Sequence, residues 1–127
     1  MDINETIRDN ISRLMKAHGW KPKDLAKHAG ISPRHANYVP KGGRSPGVEV
    51  LTKIANAFRV TVFQLVTPNL PDDVLFSPSV YRLLRNYADA STEGRELIEM
   101  QAQREADIQR GRDGKAPPLI PRLPQNH

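Results

Sequence analysis

Residues 24–46 read DLAKHAGISPRHANYVPKGGRSP, and the fold turns on what happens around Gly30. Glycine adopts the left-handed backbone that ends a helix without a Cβ penalty. Two residues later, Ser32-Pro33 pairs an N-cap hydroxyl with a proline whose missing N–H costs nothing in a first helical turn. The stretch is therefore two helices around a tight Gly30-Ile31 turn. The first opens at Pro22, carries Leu25, Ala26 and Ala29, and is about two turns long. The second must stop by about Tyr38 or Val39, because Pro40 disfavours the helical conformation before it and Gly42-Gly43 follow. Between Lys21 and Arg44 stand six Lys and Arg residues and one acid, Asp24. Unmatched basic charge means either a solvated face or a surface for an anion.

Outward from this stretch the helical period continues. Ile7, Ile11, Leu14 and Met15 recur at i, i+4, i+7 and i+8, which predicts an amphipathic helix ending near His18-Gly19. Leu51, Ile54, Ala55 and Phe58 predict a fourth helix, with Glu49 near its positive end. Val62, Phe63, Leu65 and Val66 make a short fifth, stopped by Pro68, and all five helices are expected to bury these apolar residues in one small core. Residues 69–79, with two prolines and two adjacent acids, read as a linker or an ordered crossing segment. Val80, Leu83, Leu84, Tyr87 and Ala88 mark another helix, and a further one starts after Ser91. This pair has too few apolar groups for a core of its own and is expected to pack on the first domain or on a second copy. The tail, residues 111–127, holds four of the eleven prolines and is expected to be disordered. The expected architecture is thus all-α: a helical domain over 1–68, a linker over 69–79, a helical extension over 80–110 that serves dimerisation, and the tail.

The chain has 127 residues and a formal net charge of +5. Residues 1–68 hold 11 Lys and Arg against 5 Asp and Glu, whereas residues 69–110 hold 5 against 8. The positive charge belongs to the first half, which points to an anionic partner there. Cysteine is absent, so disulfides and thiolate metal sites are excluded. The polar start MDINETIRDN does not read as a leader, no apolar run has the length of a membrane span, and a cytoplasmic protein is expected.

Two short helices joined at a glycine, the second opened by Ser-Pro, form a helix-turn-helix pattern, in which the second helix enters the DNA major groove. At 100° per residue Ala36 lies about 160° from Arg34, while Asn37 and Tyr38 fall on the side of Arg34. One face is small and apolar, Ala36 and Val39. The other offers Arg34, Asn37 and Tyr38, with Pro33 beside them at the helix tip, as base-reading groups: arginine bridges guanine, asparagine pairs with adenine, and tyrosine meets a thymine methyl or a phosphate. Lys21, Lys23, Ser32, His35, Lys41, Gly42, Gly43, Arg44 and Ser45 are the expected phosphate contacts.

Residues 5–67 resemble the Cro/C1-type (XRE) helix-turn-helix family of phage repressors and bacterial regulators. The resemblance rests on GWKPKDLAKHAGIS at 19–32 and LTKIANAFRVTVFQL at 51–65. It implies a five-helix, lambda-repressor-like DNA-binding domain with Pro33, Arg34 and Tyr38 at base-reading positions, and Lys41 and Arg44 beside phosphates. The chain departs from the family at three places. Pro22 replaces a frequent glutamine, leaving Lys21 or Lys23 to assume its phosphate contact. Met15 and Pro40 replace an Arg-Glu pair together, so neither charge is stranded. Ala36 replaces a larger inner residue of the third helix.

No arrangement of nucleophile, base and acid indicates an enzyme, no cofactor or small-molecule substrate is implied, and His28 and His35 lack the carboxylate or thiol that would complete a metal site. Trp20 is expected to pack against the first helix or Leu25. The function expected is a transcriptional regulator, a repressor that binds a palindromic operator in double-stranded DNA as a homodimer. An antitoxin or restriction-modification controller would use the same domain, and a protein-interaction module is the alternative of a different class.

Overall fold

The computed structural model describes residues 2–41 and 46–113. It falls into two units, divided between Leu84 and Arg85. Among the described residues the regular elements are helices, without strands. In the first unit the order is α1 (Ile3–His18), α2 (Pro22–Ala29), α3 (Pro33–Tyr38), a 3-10 turn (Val39–Lys41), α4 (Val48–Phe58), α5 (Val62–Val66) and α6 (Asp72–Leu75). Helix α7 (Ser79–Asp89) begins in this unit and ends in the second, which also holds α8 (Thr92–Asp113).

The expected punctuation is present. Asp2 caps α1 by accepting the Glu5 N–H at 2.8 Å. Gly19 and Gly30 end α1 and α2 at φ +67° and +68°, where an L side chain is strained. Ser32 caps α3 and Thr61 caps α5. Ile11, Leu14, Leu25, Ala36, Ile54, Leu65 and Leu75 are fully buried in a single core, with Phe58 and Val39 beside them.

Two buried amides hold the C-terminal part of this domain. Asn10 Nδ2 donates to the carbonyls of Gln64, Leu65 and Thr67 at 3.3, 2.9 and 3.0 Å. Gln64 Nε2 donates to those of Val74, Leu75 and Ser77 at 2.9, 3.2 and 3.0 Å. Carbonyls at a helix end lack their intrahelical partner, and here side-chain amides add donors to Leu65 at the end of α5 and to Leu75 at the end of α6. Arg13 adds a bond to the Leu70 carbonyl at 2.8 Å and an ion pair with Asp72. Residues 70–77 are thereby joined to α1 and α5, and Leu75 lies in the core.

Phe63, expected in the core, is 62% exposed. The cause is the capping box of α5: Thr61 Oγ1 accepts the Gln64 N–H at 3.1 Å, and Gln64 Oε1 accepts the Thr61 N–H at 2.8 Å. That geometry turns Gln64 inward and its neighbour Phe63 out. Trp20 packs on Phe58 at 4.7 Å and on His28 at 4.3 Å, ring centroid to centroid, with His18 5.0 Å away.

In the second unit polar contacts join the end of α7 to α8. The Tyr87 hydroxyl donates to Glu99 at 2.6 Å. Arg95 donates to the carbonyls of Tyr87 and Ala88 at 3.0 and 2.6 Å, and its guanidinium lies 5.7 Å from the Tyr87 ring centre. The last carbonyls of α7 are thus capped by a cation, which suits the negative end of a helix.

Candidate nucleic-acid interface

Helix α3 is six residues long, so everything it presents depends on how its two ends are fixed. At the start, Ser32 Oγ accepts the His35 N–H at 3.1 Å and lies 2.8 Å from His35 Nδ1. When the hydroxyl donates to Nδ1, the neutral ring carries its proton on Nε2 and keeps a donor there. The His35 ring also lies 5.4 Å from that of Tyr38, tilted by 54°. At the far end, Ser12 of α1 donates to the Pro40 carbonyl at 3.2 Å. A neutral hydrogen bond therefore joins α1 to the chain just after α3. Ala36 and Val39 anchor the inner side, 0% and 2% exposed.

This frame leaves Pro33, Arg34 and Asn37 exposed, with Arg34 about 160° around the helix from Ala36 and Pro33 at the helix tip. Asn37 Nδ2 donates to the Pro33 carbonyl at 2.8 Å, within its own helix. The amide keeps a second hydrogen and an acceptor oxygen beyond this bond. Tyr38 is half-buried and packs on the core, so its ring serves the fold as well as the surface. Lys21, Lys23, Ser32 and Lys41 are exposed, and His35 is half-buried. Gly42, Gly43, Arg44 and Ser45 lie outside the described residues.

The single acid of the basic stretch is occupied: Asp24 accepts the Lys21 N–H at 2.9 Å at the start of α2. Its carboxylate is used on a helix N-terminus, which favours negative charge, and no ion pair joins it to Lys21, Lys23, Lys27 or Arg34. Among the described residues, Lys21, Lys23, Lys27 and Arg34 thus stand in no ion pair. Ser12 and Asn10 were invisible as site supports in the motif itself. Asn10 had a signal, since it occupies the i+3 place of the Ile7, Ile11, Leu14 stripe, where a polar residue must be bonded if buried.

Residues 11–65 match the helix-turn-helix family model. This part of the chain is similar to that family, and α2, the turn at Gly30 and α3 have the two-helix geometry its description names. Among relatives, the uncharacterized HTH-type transcriptional regulator y4dJ of Sinorhizobium fredii is 29% identical over 68 residues, covering 54% of this chain and 88% of its own. A transcriptional regulator from Listeria innocua, known from its crystal structure, aligns over 80% of this chain and 94% of its own, at 24% identity and a TM-score of 0.44. Among the described residues no helix is long and apolar enough to cross a membrane.

Proposed function

We propose that this chain is a sequence-specific DNA-binding transcriptional regulator, and that it acts as a repressor on a palindromic operator bound by a homodimer. One observation carries the reading. A recognition helix fixed at both ends, by Ser32 to His35 and by Ser12 to Pro40, presents Arg34 and Asn37 outward from a surface whose one acid is already bonded. Arg34 reads guanine O6 and N7, Asn37 reads adenine, and Lys21, Lys23, Ser32, His35 and Lys41 neutralise or bond phosphates. Gly42, Gly43, Arg44 and Ser45 follow directly in the chain and belong to the same proposal. Repression needs only occupancy of a promoter, which a small domain of this kind supplies. Two recognition helices related by a two-fold axis require half-sites about one helical turn apart.

The test is selection of bound duplexes from a random pool at about physiological salt. Enrichment of a symmetric site with half-sites about 10–11 base pairs apart supports the whole reading. Weak binding that disappears as salt rises, with no enriched sequence, overturns sequence-specific regulation.

A further inference from the structure

Helix α8 is 22 residues long, about 33 Å, and it leaves Leu97, Met100 and Ile108 exposed at 65%, 57% and 39%. At 100° per residue, Leu97, Gln101, Arg104 and Ile108 fall within an arc of about 60°. Their spacing, i, i+4, i+7 and i+11, is that of a two-helix seam. Ile98, Gln103, Ala106 and Arg110 are half-buried and lie outside this arc.

The seam has a symmetry of its own. Turning one copy of α8 end for end about the midpoint between Ala102 and Gln103 sets Leu97 opposite Ile108 of a second copy. The same turn sets Gln101 opposite Arg104, and Glu93 opposite Arg112. Each apolar residue meets an apolar residue, the guanidinium meets an amide oxygen, and the end charges are opposite in sign. Parallel alignment instead sets Arg104 on Arg104 and Glu93 on Glu93, which places like charges on or beside the seam. Like-charge juxtaposition disfavours that pairing.

From this pattern we infer that α8 is the self-association surface, and that two copies pair antiparallel through Leu97, Gln101, Arg104 and Ile108, closed at each end by Glu93 and Arg112. The inference rests on the homodimer reading and specifies its surface and direction. Antiparallel pairing is an isologous contact, the kind a two-fold dimer on a palindrome uses.

The chain has no cysteine, so introduced thiols report the pairing directly. In the full chain, Leu97→Cys combined with Ile108→Cys is expected to give a covalent dimer under mild oxidation, whereas Leu97→Cys alone gives none. The two positions lie about 16 Å apart along one helix, so a bond within one chain is excluded. Cross-linking by Leu97→Cys alone at the yield of the double variant overturns the antiparallel direction. Charge reversal gives an independent readout: Glu93→Arg raises the dimer dissociation constant about two- to fivefold, and adding Arg112→Glu restores it. A wild-type chain that sediments as a monomer at all accessible concentrations overturns the seam and the homodimer together. A dimer in which neither the double cysteine variant cross-links nor charge reversal acts overturns the seam alone.

Discussion

The Asn10 side chain donates to the backbone carbonyl of Gln64 at 3.3 Å, and the Gln64 side chain donates onward to the carbonyls of Val74 and Leu75. Both side chains are buried, at 1% exposure each. The relay joins α1 to the end of α5, and α5 to the end of α6. Removing the Asn10 amide takes a donor from the buried Leu65 carbonyl, and removing the Gln64 amide takes one from the buried Leu75 carbonyl; a buried carbonyl left unsatisfied costs about 1–3 kcal/mol. Asn10→Ala and Gln64→Ala should each lower stability by roughly 2–4 kcal/mol in urea unfolding. Gln64→Leu fills the same space without donors and should do no better than alanine. A well-tolerated Gln64→Leu variant would show that packing, and not the relay, holds this segment.

The helices of the DNA-binding half were legible because their ends are written in local chemistry: Gly19, Gly30, Ser32-Pro33 and Pro68 act on their immediate neighbours. The orientation of α5 was not read correctly, although Thr61 and Gln64 stand at capping-box spacing. Hydrophobicity alone put Phe63 inside, and the reciprocal cap put it outside. The aromatic group of Trp20, His18, His28 and Phe58 joins three helices, and no local pattern announces such a contact. On α3, the exposure of Arg34 and Asn37 was legible from helical phase, whereas the bond from Ser12 to Pro40 spans 28 residues and follows only from the packed fold.

Two left-handed residues should respond to substitution in opposite directions. Gly30 has φ +68° with nothing within 4 Å of a Cβ built on it, so Gly30→Ala meets no clash and loses only through backbone strain, about 1–2 kcal/mol. Arg59 carries the same kind of conformation at φ 57°, closing α4. Arg59→Gly relieves strain of that order and gives part of it back as unfolded-chain entropy. Its midpoint in thermal unfolding should rise, by an amount equivalent to ~0.5–1 kcal/mol. A fall would mean that the Arg59 side chain contributes more than its backbone conformation costs.

Ser32 combines a cap with a place on the proposed phosphate surface, and one pair of variants separates the two. Ser32→Ala loses the bond to the His35 N–H and should cost about 1 kcal/mol of stability. Ser32→Asp keeps a capping oxygen and adds negative charge facing the DNA. Stability by chemical denaturation should then stay near wild type while affinity for duplex DNA falls, most strongly at low salt. Unchanged DNA affinity in Ser32→Asp would remove Ser32 from the interface.

The bond from Tyr87 to Glu99 makes a prediction at alkaline pH. It raises the Tyr87 phenol above its ordinary value, first because the hydroxyl donates to the carboxylate, then through desolvation and the carboxylate's charge, with Arg95 opposing. A raised phenol stabilises the fold fully below the ordinary value of about 10 and loses that contribution as pH climbs through the raised value. The difference between the ultraviolet titrations of wild type and Tyr87→Phe isolates this ionisation. It should lie above the ordinary value and move down in Glu99→Gln, which removes the negative charge. An unmoved transition in Glu99→Gln would assign the shift to something other than this pair.

Arg34 and Lys41 are both exposed cations, one on the outer face of α3 and one in the turn that follows, and the proposal gives them different work. A guanidinium bridging a guanine edge distinguishes one base pair from the others, so Arg34→Ala should cost roughly 1–3 kcal/mol on the selected site, relax preference at one position, and leave random duplex nearly unaffected. An ammonium beside a phosphate contributes through released counterions, so Lys41→Ala should weaken selected and random duplex alike and reduce the slope of log affinity against log salt by about one. Titrating both variants against both duplexes over a salt series gives the comparison. Equal losses on the two duplexes for Arg34→Ala would move it to the phosphates, and the reading of sequence would then rest on Asn37 and its neighbours on the same face.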